Sequence, residues 1–170
     1  ALLELGTGFQ EELTGRENIF LNGSILGMNK KEILRKFDRI IDFAGIGKFI
    51  DSPMRTYSAG MWMRLGFSLA INANFEVLLV DEILAVGDIS FQKKCFEKFN
   101  DLKQNGVTIL FVSHNIETIR NVCNRTIWLD AGSVKSFDVT NKTVNMYLEY
   151  VNKNSREDLV NTGTEILDEK

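Results

Sequence analysis

Val77-Leu78-Leu79-Val80-Asp81-Glu82 is an uninterrupted apolar run that ends in two acids. Such a run of leucines and β-branched residues, without polar alternation, is typical of a parallel strand that is buried on both faces. Residues 107–112 repeat the pattern, and Ser113-His114 follows them. A helix is predicted between the two strands, from about residue 91 to residue 103. Because strands alternate with helices, the sequence predicts an α/β fold with a mostly parallel sheet.

Three helices are predicted before this sheet. The first follows a capping box at Thr14-Gly15-Arg16-Glu17, in which the Thr hydroxyl and the Glu carboxylate each bind a free N–H at the helix start. The second begins near Asn29 and ends around Gly45, and the third spans about residues 60–72. Because no strand pattern separates them, these helices indicate a helical subdomain.

Two further helices and a strand pair are predicted after His114. A helix covers about residues 116–123, and a pair of strands follows that turns at Ala131-Gly132. Thr140 is expected to cap a last helix that ends near Val151.

The predicted organisation is one domain with a polar extension. The domain covers residues 1–150, and it comprises the helical subdomain (about 14–72), an α/β core (about 73–138) and the last helix (about 140–151). Residues 152–170 are polar and are predicted to form a linker or tail.

Composition excludes several classes of protein. The chain has 170 residues, of which 44% are hydrophobic and 25% charged, as in a folded globular protein. Its net charge is −3 and no long block of like charge occurs, which argues against nucleic acid as the main partner. Two scattered cysteines and a single histidine, His114, exclude most zinc sites.

The N-terminal residues are not typical of a signal peptide. Ala1-Leu2-Leu3-Glu4-Leu5 has no initiator Met and no basic region, and it has the pattern of a strand interior. We therefore expect the chain to be cut from a longer protein. No apolar run reaches the roughly 20 residues that span a bilayer.

Candidate chemistry lies where the predicted strands end. In parallel sheets, ligands bind at the carboxyl ends of the strands, and Asp81, Glu82 and His114 all fall at such ends. One carboxylate there can hold Mg²⁺ and the other can act on an attacking water. Two acids at a strand end are also common in ordinary polar turns, and a lone histidine is more often structural.

A second candidate site opens the third helix. Ser58 is a good N-cap, and a helix N-terminus offers free N–H groups and a positive dipole end to a phosphate. Gly60 allows a ligand to approach the backbone closely. An ordinary capped helix would have the same sequence, so this motif alone does not specify phosphate binding.

The order of the motifs is more informative than any one of them. Ser58-Ala59-Gly60-Met61 is followed by Leu78-Leu79-Val80-Asp81-Glu82, then by Ala85-Val86-Gly87-Asp88, and finally by Ser113-His114. This order resembles the signature loop, Walker B strand, D-loop and H-loop of the ABC-transporter ATPase family. The resemblance implies a P-loop NTPase-like (RecA-type) sheet, N-terminally incomplete, with an inserted helical subdomain. It also implies ATP and Mg²⁺ as ligands.

The resemblance assigns a role to each motif. The loop Ser58-Ala59-Gly60-Met61 would contact the γ-phosphate of ATP held by the opposite subunit, and Asp88 would lie at the same dimer interface. Asp81 would hold Mg²⁺ through water. Glu82 would be the general base, and His114 would be the switch histidine, whose imidazole can hydrogen-bond a terminal phosphate or orient the attacking water.

The residue of the Q-loop is ambiguous. Counting back from Thr14 places Glu4 near the position of the family's glutamine, with one extra residue between, and Gln10 is the competing candidate. We favour Glu4 because it closes the apolar strand.

A narrower resemblance concerns one branch of the family. The segments Leu3-Glu4-Leu5-Gly6, 13–18, 57–61 and 81–92 are similar to ATPase subunits that export bacterial cell-surface polysaccharides such as O-antigen, capsule or teichoic acid. The resemblance implies a homodimer that sandwiches ATP and a partner permease in the membrane. It further implies a peripheral location on the cytoplasmic face of the plasma (inner) membrane.

The chain departs from the family pattern in several places. Ala59 and Met61 stand where the family favours Gly and Gln, and Phe75 stands where proline is usual. The phosphate-binding loop, G-x-x-x-x-G-K followed by Ser or Thr, does not occur in the 170 residues. Gly47-Lys48 is followed by Phe49 and does not match it. The resemblance places this loop before Ala1, so the chain is expected to be inactive alone.

Two alternatives remain at this point. One is a soluble ABC-type ATPase of DNA repair or translation, although such proteins usually carry long insertions. The other is a non-enzymatic scaffold or regulatory fragment.

Overall fold

The computed structural model describes the backbone of residues 2–3, 8–81 and 88–165, and the side chains of residues 8–81 and 88–154. Glu4 and Glu82 lie outside the described residues. The chain divides into two compact units, Ala1–Val112 and Ser113–Lys170.

Three α-helices form the first part of the first unit. They are α1 (Gly15–Ile25), α2 (Lys30–Ala44) and α3 (Ala59–Asn72). The predicted capping box of Thr14 and Glu17 is confirmed, and a second capping box, of Asn29 and Glu32, begins α2. The connection between α2 and α3 contains two short 3₁₀ turns, at Gly47–Phe49 and Met54–Thr56.

The sheet of the first unit is parallel, as predicted. Its described strands are β1 (Leu2–Leu3), β2 (Val77–Asp81) and β3 (Thr108–Val112), in the order β1-β2-β3. The helix α4 (Ile89–Gln104) connects β2 to β3. The register aligns Asp81 with Val112, the last residue of the neighbouring strand.

Aromatic side chains join α4 to the helical part of the unit. Phe67 of α3 packs edge-on against Phe91 and Phe99 of α4, with ring centroids 5.8 Å apart in both pairs. Phe43 of α2 stacks on Phe67 at 6.1 Å and meets Phe91 edge-on at 5.6 Å. Since aromatic pairs bury large areas, this cluster fixes α4 against α2 and α3.

The prediction that both strands are buried on both faces is wrong for β3 and also for β2, where Val77 is 46% exposed. Leu78 and Val80 of β2 are buried, but Leu110 and Val112 of β3 are 52% and 54% exposed. The physical reason is that Val77, Leu110 and Val112 lie on one face of the sheet, and the described residues cover this face less completely than the face that carries Leu78 and Val80. Apolar sequence alone could not distinguish a strand that is covered on both faces from one that is covered on a single face.

The second unit is a helix, a β-hairpin and a long helix. Its elements are α5 (Ile116–Val122), β4 (Arg125–Asp130), β5 (Ser133–Val139) and α6 (Thr140–Glu165). The predicted turn is confirmed, because Ala131 and Gly132 both have positive φ, 47° and 75°, as a tight hairpin turn requires. Trp128 of β4 packs against Tyr147 and Tyr150 of α6, with centroid distances of 5.6 and 5.0 Å.

The last helix is longer than the sequence indicated. α6 continues to Glu165, whereas we predicted an end near Val151 and a polar linker over residues 152–170. Residues 152–162 contain neither Gly nor Pro, so no helix breaker ends the last helix where its apolar periodicity fades. The division of the chain into a domain over residues 1–150 and an extension after it stays a prediction. No helix in the described part of the chain has the length and apolar character to cross a membrane.

Candidate functional site

Asp81 is the last residue of β2, at the carboxyl end of the strand. Leu78 and Val80 of the same strand are buried, while Asp81 itself is exposed. The carboxylate therefore lies at the edge of the sheet where ligands bind in parallel α/β folds. Glu82, which follows it, lies outside the described residues.

Ser58 is the N-cap of α3. Its Oγ accepts a hydrogen bond from the backbone N–H of Met61 at 3.2 Å. A Ser hydroxyl that accepts in this way still has its own proton to donate. The N–H groups of Ala59 and Gly60, in the first turn, have no partner within the helix and point in the same direction. Together they can bind an anion such as a phosphate.

Gly60 has open space beside it. A Cβ added to Gly60 would meet Ser58 Oγ at 3.9 Å, which is ordinary van der Waals contact. Packing within the described residues therefore does not require a glycine here. The backbone at Gly60 is therefore open to the approach of a ligand.

Tyr57 fixes the loop before Ser58. Its phenol donates to the carbonyl of Phe49 at 2.7 Å, and burial, reinforced by the charge of Asp51, raises the pKa of the phenol. A Cβ on Gly15 would lie 2.3 Å from Tyr57 Oη, so the start of α1 must be a glycine for the ring to fit. The capping box, Tyr57 and the Ser58 loop are thus one packed assembly.

Asp88 has two structural contacts. Oδ1 accepts from the backbone N–H of Phe91 at 2.9 Å and caps α4, while Oδ2 lies 4.0 Å from Nη1 of Arg64. Arg64 belongs to α3, the helix that Ser58 begins. The N-terminus of α4 is therefore connected to α3, the helix that begins after Ser58.

Gln10 is held by a buried asparagine. The Asn18 side chain accepts from the backbone N–H of Gln10 at 2.8 Å and donates to its carbonyl at 2.9 Å. These bonds fix the backbone of Gln10 against α1. Glu4, the candidate that we favoured for the Q-loop, lies outside the described residues, so the choice between them stays a prediction.

His114 belongs to the second unit. It lies between Ser113, whose Oγ accepts from the backbone N–H of Asn115 at 3.0 Å, and Asn115, the N-cap of α5. Asn115 Oδ1 accepts from the N–H of Thr118 at 2.9 Å. The His114 side chain is exposed on a short, hydrogen-bonded loop.

The sequence analysis gave no role to Asn18, Tyr57 or Arg64, although Asn18 and Tyr57 lie in segments that carry the branch resemblance. A signal existed for Asn18, because asparagine is disfavoured in helix interiors and its presence in α1 indicates a specific bond. No comparable signal marks Arg64, since its contact joins two elements that are distant in the chain.

The residues present are compatible with Mg²⁺ and a nucleotide. Mg²⁺ is usually held by one or two carboxylates together with phosphate oxygens of the substrate. Among the described residues, no group of three or more His, Cys, Asp or Glu could hold a metal alone. Asp81 offers a single exposed carboxylate at the strand end, and this group can supply one ligand of such a site.

Comparison with curated proteins identifies relatives that cover most of the chain. It is 46% identical over 147 residues to the O-antigen export system ATP-binding protein RfbB of Klebsiella pneumoniae, covering 86% of the chain and 60% of the relative. It is 53% identical over 133 residues to the ABC transporter protein AbcA of Aeromonas salmonicida, covering 78% and 43%. It is 42% identical over 153 residues to the teichoic acids export ATP-binding protein TagH of Bacillus anthracis, covering 90% and 28%.

Solved structures with the same fold are ATP-binding cassettes. An ATP-binding subunit of an ABC transporter superposes with a TM-score of 0.76, 21% identity and coverage of 86% of this chain and 61% of that one. A dimeric cassette in a post-hydrolysis state, bound to ADP and phosphate, gives a TM-score of 0.66 at 21% identity, with coverage of 82% and 62%. No family model matches the chain.

The predicted fold class is confirmed, and the chain belongs to the ABC-type ATP-binding proteins. Within this class it is homologous to the ATP-binding proteins named for O-antigen and teichoic acid export. The chain spans 60% of the length of the Klebsiella relative and smaller shares of the other two.

Proposed function

We propose that this chain is part of the ATP-hydrolysing subunit of an exporter of cell-surface polysaccharide. The observation that carries the proposal is the 46% identity over 147 residues with an O-antigen export ATP-binding protein. The names of the relatives favour export over the alternatives of DNA repair and translation. The exported polymer would be of the O-antigen, capsule or teichoic acid type.

In this proposal each site residue has one task. Ser58 donates its hydroxyl proton to a γ-phosphate oxygen, while its lone pair accepts from Met61 and keeps the loop in place. Asp81 would hold Mg²⁺ through water, and the ion would neutralise phosphate charge. Glu82 would accept the proton of the attacking water, and His114 would contact the terminal phosphate.

The proposed partners are a second copy of the subunit and a membrane permease. The exposed Ser58 loop, with open space beside Gly60, can reach a phosphate held by another subunit. The subunit would then be peripheral, on the cytoplasmic face of the plasma membrane, where the permease receives the polymer.

The test is an export assay in a bacterium that lacks its own O-antigen export ATPase but retains the permease. The whole protein is expected to restore surface polysaccharide, and the same protein with Glu82→Gln is not. Restoration by both proteins, or by neither when both are well expressed, would contradict the proposal.

A further inference from the structure

α5 is too short to be stable as an isolated helix. It has seven residues, and isolated helices shorter than about 12 residues are marginal in water. Its placement therefore depends on contacts with the rest of the second unit. Because Ser113 and Asn115 are hydrogen-bonded to the start of α5, the loop that carries His114 moves with this helix.

Arg120 connects the last turn of α5 to α6. Its Nη1 donates to Asn141 Oδ1 at 3.0 Å, and its Nη2 donates to Asn145 Oδ1 at 2.7 Å. The two asparagines are four residues apart and so lie on one face of α6. The guanidinium is planar and presents its donors as a rigid fork, so two bonds from it fix both the position and the direction of α5.

The chain after α5 is fastened to the same place. Thr140 Oγ1 donates to the carbonyl of Cys123 at 2.8 Å, and the Thr140 N–H donates to that of Asn124 at 3.2 Å. These bonds fix the residues that follow α5, while the Arg120 side chain fixes the helix itself. Arg120 is also favourably placed for the dipole, because it is a cation in the last turn.

We propose that Arg120 is a positioning residue for His114, acting through α5. It does not touch the nucleotide; it fixes the helix whose first turn carries the His114 loop. The consequence for catalysis rests on the proposed function, in which His114 contacts the terminal phosphate. The positioning itself can be measured without nucleotide.

The first experiment uses the 170-residue chain, in which the single histidine gives unambiguous ring signals by NMR. Arg120→Gln is expected to change the His114 ring shifts and to speed amide exchange in α5 by about tenfold or more, because two charge-assisted bonds are lost. Arg120→Lys keeps a charged donor, so its ring shifts and exchange rates are expected to lie between those of the parent and those of Arg120→Gln. Asn145→Ala removes the acceptor of the Arg120 Nη2 bond. It is also expected to change the His114 ring shifts and to speed amide exchange in α5.

Asn121→Ala, an exposed change on the same helix, is the control and is expected to leave the ring signals unchanged. Ring shifts in Arg120→Gln and Asn145→Ala that match this control would overturn the proposal. Faster α5 exchange with an unmoved ring would also overturn it, because Arg120 would then be structural only.

The second experiment uses the whole protein and separates the two proposals. Arg120→Gln is expected to lower kcat by about 10- to 100-fold with KM for ATP nearly unchanged, since a misplaced group costs this much. In a His114→Ala background the same change is expected to add no further loss. A His114→Ala protein with parental kcat would refute the catalytic role of His114, whereas additive losses would refute the action of Arg120 through His114.

Discussion

Nη1 of Arg64 lies 4.0 Å from Oδ2 of Asp88. This ion pair joins α3, which Ser58 caps, to the N-cap residue of α4. The same Asp88 carboxylate accepts the Phe91 N–H through Oδ1. One side chain therefore caps α4 and connects the N-terminus of that helix to α3.

The cap is expected to contribute more stability than the ion pair. Asp88→Ala should destabilise the fold by about 1 kcal/mol, the usual cost of losing an N-cap. Asp88→Asn keeps a cap oxygen and loses only a largely exposed pair at 4.0 Å, so its effect should stay below about 0.5 kcal/mol. Urea unfolding measures both. Equal losses in the two variants would mean that the ion pair, and not the cap, contributes the stability.

Glu82→Gln in the whole protein is expected to abolish turnover and to leave ATP binding intact. The amide keeps the shape of the side chain but cannot accept the proton, which removes a general-base contribution of about 10²–10⁴-fold. Steady-state hydrolysis and ATP titration measure the two effects. Glu97→Gln, an exposed change on α4, is the control. Turnover within a few-fold of the parent would show that Glu82 is not the base.

Gly60→Asp is expected to block ATP-dependent dimerisation of the whole protein. The carboxylate would face the γ-phosphate of the other subunit, and like charges about 4 Å apart at an effective dielectric of about 20 repel by about 4 kcal/mol. ATP binding by the variant's own phosphate loop should survive. Size-exclusion chromatography with and without ATP measures the effect.

Gly60→Ala is the matched control for this prediction. Its Cβ meets Ser58 Oγ at 3.9 Å, so the chain itself accommodates it. We expect a smaller effect on dimerisation than from Gly60→Asp. Dimerisation of the Asp variant on ATP at the parental level would mean that the Ser58 loop does not face the nucleotide.

The 170-residue chain alone is expected neither to bind nor to hydrolyse ATP measurably. The sequence has no phosphate-binding loop, and the remaining contacts to ATP are proposed to come from a second subunit. Calorimetry with MgATP is the measurement. A micromolar binding site in the isolated chain would contradict this expectation.

The free energy of unfolding is expected to fall at alkaline pH because of Cys95. Burial raises the pKa of this thiol from 9.0 to about 12, so the folded state favours the protonated form. A raised pKa gives stability that is complete below pH 9 and is lost as pH rises toward 12. Cys95→Ala should remove this part of the pH dependence, measured by urea unfolding from pH 8 upward.

Cys123→Ala is the control for the Cys95 prediction, and it should keep the parental pH slope. Cys95 should also react with thiol reagents only after unfolding, because the thiolate is the reactive form. A Cys95→Ala protein with the same slope as the parent would show that another group causes the alkaline loss.

Local features of the fold could be predicted from the sequence alone. The capping box of Thr14 and Glu17 and the hairpin turn at Ala131 both depend on groups a few residues apart. Their hydrogen bonds follow from local backbone geometry, so spacing in the sequence is sufficient. The order of the motifs also predicted the ABC-type fold, which the relatives and the solved structures confirm.

The tertiary structure alone decided how these elements are held together. The pairing of Arg64 with Asp88 and the bonds of Arg120 to α6 join residues that are distant in the chain. The exposure of Leu110 on β3 likewise depends on which elements cover that face of the sheet. Residue type and spacing set what a side chain can bond, but packing sets which partner comes within reach.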